Sequence, residues 1–271
     1  MKTRIITGVI AAAIFVPLLF LAPANVLAWI FAAISFLGIW ELSGCCGFRK
    51  QLQYLLPMAI ASPAVIVLSF YGKNADAYPI LACVTLFLFA VAVIGGEKAE
   101  IGDVSVFILF SIYVTLGFLS IVSIRKLHVD DGAWLFLLPF VSAWVTDTFA
   151  YFTGYFFGKH KLCPTVSPKK TVEGALGGIF FCGGLTLVFG VIVAACTDTS
   201  PRYFSFLAIG LVLSVVSQIG DLILSMVKRR YGVKDYGKLL PGHGGILDRF
   251  DSVIATAIVL NIACNLISFF K

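Results

Sequence analysis

Residues Tyr203 to Arg230 read Y-F-S-F-L-A-I-G-L-V-L-S-V-V-S-Q-I-G-D-L-I-L-S-M-V-K-R-R. From Tyr203 to Val227 the stretch is apolar and long enough for a helix to cross bilayer hydrocarbon, for which about 20 residues suffice. Its polar residues are not scattered. Ser214, Ser217, Gln218, Asp221, Ser225 and Lys228 fall at i, i+3, i+4, i+7, i+11 and i+14, which is one helical face. A polar stripe on a membrane helix has to turn toward a bundle interior or a watery cavity. The stretch therefore implies partner helices and a polar space among them.

The rest of the chain supplies the partners. Of 271 residues, 60% are hydrophobic and 13% charged, and the mean hydropathy is +1.00, which excludes an ordinary soluble globular domain. Candidate spans run from about Ile5 to Leu21, Val26 to Leu42, Gln53 to Phe70, Tyr78 to Ile94, Val104 to Ile124, Trp134 to Phe157, Ala175 to Cys196, Tyr203 to Val227 and Phe250 to Phe270. Backbone groups in hydrocarbon must be satisfied within the segment, and the alternation of a barrel strand is absent. The expected fold is all-α: a polytopic integral membrane protein of about nine transmembrane helices, with a polar cavity open to the cytoplasm. It is read as one membrane domain over residues 1–271, with apolar N-terminal helices in 1–130 and the helices and loops carrying the active site in 131–271.

Lys2 and Arg4 precede the first apolar run, and Ala22-Pro23-Ala24 follows it, so the first span looks like a signal sequence. Another span begins almost at once, and the first is expected to be an uncleaved anchor. If the spans alternate, 15 of the 20 basic residues fall on one side, including Arg49, Lys50, Lys159, Lys161, Lys169, Lys170 and the whole of Lys228 to Arg249. The positive-inside rule makes that side cytoplasmic. A multi-pass protein of the inner (plasma) membrane is expected, with the N-terminus and active-site loops cytoplasmic. The seven cysteines show no C-x-x-C spacing and read as small apolar residues.

Polar residues concentrate in the second half. Trp144, Asp147, Tyr151 and Tyr155 line one face of the sixth span, and Asp248, Asp251 and Ser252 repeat an i, i+3, i+4 pattern. Each ionised carboxylate near the bilayer centre costs about 2.5 to 3.5 kcal/mol, so a cation, a basic partner or water has to compensate. The loop after the sixth span contains Ser167-Pro168-Lys169-Lys170-Thr171, followed by Glu173, Gly174, Gly177 and Gly178, and Gly174 with Gly178 gives the spacing of close helix contact. Ser225 to Asp251 holds nine of the 34 charged residues in a tenth of the chain.

Hard oxygen ligands at Asp221, Asp248 and Asp251 suit Mg²⁺, as one ion sharing its shell with phosphates or as two that clamp a displacement at phosphorus. Lys169, Lys170 and the bases after Asp221 suit phosphate oxygens, and Gly242, Gly244 and Gly245 let backbone approach a ligand. No P-loop string is present. Plainer readings exist for each part. Lys228-Arg229-Arg230 also serves as a topology signal, Asp147 as a structural hydrogen-bond partner, His243 as a solvated loop residue, and Ser167 to Thr171 as a polar turn. Glu41, beside Trp40 at a span end, reads as structural. The conjunction within one short window favours chemistry.

At these residues the chain resembles the phosphatidate cytidylyltransferases, also called CDP-diacylglycerol synthases. Ser225, Lys228, Arg229, Lys234, Asp235, Leu240, Pro241, Gly242, His243, Gly244, Gly245, Ile246, Asp248, Arg249, Phe250 and Asp251 match that family's C-terminal signature. Ser167 to Gly174 is similar to its S-P-K-K-T-x-E-G stretch, and Arg4 to Gly8 to its usual N-terminus; Val172 departs from the aromatic residue common there. The resemblance implies a transferase of phospholipid biosynthesis that joins CTP to phosphatidic acid, with Mg²⁺ required. Its partners would be CTP, phosphatidic acid and membrane lipid, with no nucleic acid; a homodimer stays open. On this basis Asp221 and Asp248 are expected to hold metal, with Asp251 and Asp147 as further ligands or as orienters. Ser167, Lys169, Lys170 and Thr171 are assigned to the CTP phosphates, Lys228, Arg229 and Lys234 to either phosphate group, and His243 to a phosphate contact. Two alternatives remain: a CTP-dependent polyprenol or phytol kinase, and a cation-coupled transporter.

Overall fold

A computed structural model describes residues 2–72, 77–95, 100–127, 132–239 and 242–270. Leu240 and Pro241 of the signature lie outside them, as do Lys73, Lys98 and Lys271. Each apolar stretch read from the sequence is helical over most of its length, the last ending at Leu266 rather than Phe270. The helices are α1 (Lys2–Leu21), α2 (Ala24–Cys45), α3 (Leu52–Tyr71), α4 (Ala77–Gly95), α5 (Ile101–Leu127), α6 (Gly132–Leu135), α7 (Leu138–Phe157), α8 (Val172–Thr197), α9 (Tyr203–Arg230) and α10 (Leu247–Leu266). Among the described residues, six are long and apolar enough to cross a membrane: α2, α3, α4, α5, α8 and α9. The protein is an all-α polytopic membrane protein.

Three boundaries differ from the sequence reading. The stretch from Trp134 is broken into α6 and α7, and Pro139 stands in the first turn of α7, where a missing N–H and a fixed φ suit a helix start. The polar loop after α7 is not coil. Lys161–Cys163 (β1) pairs antiparallel with Ser167–Thr171 (β2), Lys161 opposite Thr171 and Cys163 opposite Ser167. Finally α10 begins at Leu247, so Asp248 sits in its first turn.

The backbone groups into two compact units, Met1–Ser123 with Arg230–Phe250, and Ile124–Arg229 with Asp251–Lys271. In the first unit α2 packs on α3 and α3 on α4. Apolar helices in lipid gain nothing by hiding apolar surface from one another, so short polar links matter. Thr115 of α5 donates to the Ser62 hydroxyl of α3 at 2.7 Å, and Ser62 is also bonded to Ser35 of α2. In the second unit the main contact is α7 against α8. A Cβ at Gly174 would stand 2.6 Å from the Ala150 carbonyl oxygen, and one at Gly178 3.1 Å from that of Thr146. The small-residue spacing thus brings α8 onto the backbone of α7. Thr146 then donates to Ser214 of α9 at 2.9 Å, and Thr256 of α10 to the Pro139 carbonyl at 3.3 Å.

Candidate active site

The stripe on α9 is turned inward. Ser214, Ser217, Gln218, Ser225 and Lys228 are all buried, and Gln218 donates to the Ala175 carbonyl oxygen of α8 at 3.3 Å. Asp221 lies at the centre of this face. One of its oxygens accepts from the Ser225 hydroxyl at 3.2 Å, one turn on, and the other pairs with the Lys170 ammonium at 2.6 Å. Lys228, only 7% exposed, acts electrostatically on Asp221 and on Asp251.

Asp251 comes from α10, where a glycine admits it. A Cβ at Gly220 would stand 2.6 Å from that of Ala255 and 2.9 Å from the Asp251 carbonyl oxygen. Two helices so close bring the carboxylates of Asp221 and Asp251 near enough to act on each other electrostatically. One Asp251 oxygen accepts from the Ser252 N–H at 2.8 Å, and Asp147 of α7 acts on it electrostatically. Nearby on the same helices the buried hydroxyls of Ser217 and Ser252 have no hydrogen-bond partner. Carboxylates this close need a proton or a cation in common.

Among the described residues, no three His, Cys, Asp or Glu side chains converge closely enough to hold a metal ion by themselves. Mg²⁺ does not require that, because it keeps several waters and commonly takes one or two carboxylates plus substrate phosphates. The Asp221 and Asp251 pair fits such an ion, and it does not fit an all-protein cage.

The strand that delivers Lys170 explains its neighbours. Successive side chains on a strand point to opposite faces, so Lys169 is exposed while Lys170 turns in toward Asp221. Ser167 opens the strand opposite Cys163. Thr171 ends it and caps α8, its hydroxyl oxygen accepting from the Gly174 N–H at 3.1 Å. Glu173, in the first turn of α8, accepts from the Lys159 N–H at 3.0 Å and contacts the His160 ring at 2.6 Å, which fixes the start of the hairpin. Arg229, exposed, donates to the Val166 carbonyl oxygen at 3.4 Å. Trp144, Asp147, Tyr151 and Tyr155, the face read from the sequence, are all exposed, and the two tyrosines are stacked.

The remaining sequence-predicted residues belong to the other unit. Lys234 is exposed. Gly242 and Gly244 have φ of 80° and 87°, a left-handed backbone that glycine adopts without strain, and they present His243 between them. Its ring lies against α1, where a Cβ at Gly8 would be 3.1 Å from the imidazole. One oxygen of Asp248 accepts from two backbone N–H groups, Tyr236 at 2.8 Å and Gly245 at 2.9 Å. Glu41 of α2 also accepts from two backbone N–H groups, one on each oxygen; its position as a lone carboxylate in an apolar span was the only sign of it in the sequence.

A family model for the cytidylyltransferase family matches residues 2–267. The chain belongs to that family. It is an enzyme of the nucleotidyltransferase class, and its helices agree with a membrane-embedded member. Among curated relatives it is 32% identical over 269 residues to the phosphatidate cytidylyltransferase of Staphylococcus haemolyticus (strain JCSC1435), covering 97% of this chain and 98% of the relative. It is 33% identical to that of Staphylococcus aureus (strain COL) with the same coverage. For the Staphylococcus epidermidis enzyme (strain ATCC 35984) the identity is 31% over 268 residues, again covering 97% and 98%.

Proposed function

We propose that the chain transfers the cytidylyl group of CTP to phosphatidic acid, giving CDP-diacylglycerol and pyrophosphate. The observation that carries this reading is the half-buried Asp221 and Asp251 pair with Lys170 and Lys228 upon it. The names of the relatives support the choice of substrates. An oxygen of the phosphatidate phosphate attacks the α-phosphorus of CTP, a new P–O bond forms, and the bond to the β-phosphate oxygen breaks with its electron pair leaving on pyrophosphate. The nucleophile is anionic at neutral pH, so no general base is required. Catalysis then consists of orientation and charge stabilisation.

Lys170, aimed by its strand and steadied by Asp221, meets phosphate oxygens of the nucleotide, and Lys228 neutralises charge on the departing pyrophosphate. Asp221 and Asp251, with Asp147 beside them, would hold Mg²⁺, which supplies Lewis-acid charge neutralisation when bound. Lys169, on the exposed face of the hairpin, attracts nucleotide from solution. Ser167 faces the triphosphate from the start of the strand, and Thr171 acts chiefly by capping α8. Arg229, Lys234 and His243 serve as phosphate contacts. Asp248 is assigned a different task from the one its sequence pattern suggests. With one oxygen already held by two N–H groups, it orders the glycine loop, and the metal passes to Asp251.

The membrane arrangement belongs to the same proposal: about nine helices cross the inner membrane, and the charged loops face the cytoplasm, where CTP is found. Association as a homodimer is compatible with it. Incubating the purified protein with phosphatidic acid, Mg²⁺ and CTP labelled on either the α- or the γ-phosphate tests the reaction. The α-label should enter the lipid and the γ-label appear in pyrophosphate. A γ-label in the lipid would make the enzyme a kinase, and ion flux into vesicles without chemical change would make the protein a transporter.

A further inference from the structure

Glu41 sits in the last turns of α2, 4% exposed, more than 200 residues from what it binds. Its two oxygens accept separately from the N–H groups of Ile246 and Leu247, each at 3.0 Å. Those N–H groups are at the start of α10, where the first turn leaves backbone donors without intrahelical acceptors. The carboxylate also occupies the space that side chains would need on the loop. A Cβ at Gly237 or at Gly245 would fall on its atoms. On the same helix face, one turn earlier, a Cβ at Gly38 would stand 3.1 Å from the Leu247 side chain. Asp248 supplies the complementary grip, tying Gly245 to Tyr236 across the loop. Two carboxylates therefore fix both ends of the loop that carries His243, and only one of them is part of the signature.

We infer that Glu41 is a positioning residue for cytidylyl transfer, setting the conformation of the glycine loop and of the α10 start from α2. This rests on the functional reading above. A bulk contribution to stability alone does not explain the glycines, since Gly237 and Gly245 leave room for this one carboxylate and for no larger loop side chain. The demand for two acceptors is specific. Glutamine matches glutamate in size but offers one oxygen and an NH₂, so one of the two backbone N–H groups would face a donor.

The test uses the full-length protein in detergent micelles, with Glu41→Gln and Glu41→Asp compared with wild type. Three readouts are needed: kcat for liponucleotide formation, normalised to folded protein; the KM for CTP; and amide hydrogen exchange over residues 242–247. Glu41→Gln should lower kcat roughly 10- to 100-fold, the usual effect of removing a group that orients an active site. Ile246 and Leu247 should exchange faster in the same variant. Glu41→Asp, which keeps both acceptors, should recover part of the rate. A wild-type kcat and unchanged exchange in Glu41→Gln would overturn the inference, as would a loss accounted for by unfolded protein alone. If Glu41→Gln fails to fold, Gly245→Ala presses on the carboxylate from the loop side; a loss of similar size supports the inference and unchanged activity overturns it. If wild type makes no liponucleotide, the functional reading fails, while the exchange comparison still decides whether Glu41 holds the loop.

Discussion

Two pairs of carboxylates, buried or half-buried, have different surroundings. Glu41 and Asp248 are met by backbone N–H groups, four in all. Asp221 and Asp251 are met by lysines and by each other, with one neighbouring donor apiece, the Ser225 hydroxyl and the Ser252 N–H. A carboxylate gripped by backbone donors is satisfied by the fold and stabilises one conformation of it. Carboxylates that approach one another and are balanced by ammonium groups form a charged cluster in which a ligand phosphate or a cation can exchange for an existing partner. In the function proposed above, the first pair is scaffold, and the second binds a cation and a polyphosphate. Motif matching alone does not separate the two, because Asp248 and Asp251 lie one turn apart in the same signature.

That contrast can be broken at several points. Asp221→Asn removes the partner of Lys170, and turnover should fall at least about 100-fold while the protein elutes as a folded species; a smaller loss would move Asp221 to the scaffold side. Lys170→Ala should raise the KM for CTP about tenfold, the scale of one lost charge-assisted bond, and Lys169→Ala clearly less, since it points the other way. Gly220→Ala forces α9 from α10 and should cost about 1 to 3 kcal/mol of stability, measured by thermal unfolding, with kcat falling as the carboxylates separate. Thr171→Ala should cost about 1 kcal/mol through the lost cap and leave the KM for CTP unchanged; a raised KM would return Thr171 to the phosphate. The smallest effect is expected at the part-exposed Asp103 and Arg230 pair, 3.2 Å apart, where Asp103→Asn keeps an oxygen to accept from the Tyr231 hydroxyl and should lower stability in thermal unfolding by less than about 1 kcal/mol with kcat unchanged.

Much of this was legible in the sequence. The spans, the inward stripe on α9 and the close contact at Gly174 and Gly178 follow from hydropathy and from 3.6-residue periodicity, which are local properties. The hairpin was not, because Lys161 to Thr171 is too short and too polar to show an apolar alternation. Its consequence, that Lys169 and Lys170 point apart, depends on the strand. The outward face of Trp144, Tyr151 and Tyr155 was also hidden. A membrane helix with aromatic and polar residues on one side has two acceptable solutions, and packing by the glycines of α8 on Thr146 and Ala150 selects one. Glu41 was hidden for a third reason, since its partners are backbone atoms some 200 positions away and backbone donors leave no mark in a sequence.

Asp251→Asn is the most direct test. The amide keeps the size of the side chain and can still accept from the Ser252 N–H, and it leaves the Lys170 and Asp221 ion pair in place, so only the charge of one carboxylate is removed. Single-turnover formation of liponucleotide from α-labelled CTP and phosphatidic acid should fall at least about 100-fold in a variant that melts as wild type does. A folded Asp251→Asn protein that forms the product at the wild-type rate would contradict the assignment of the chemistry to this carboxylate pair.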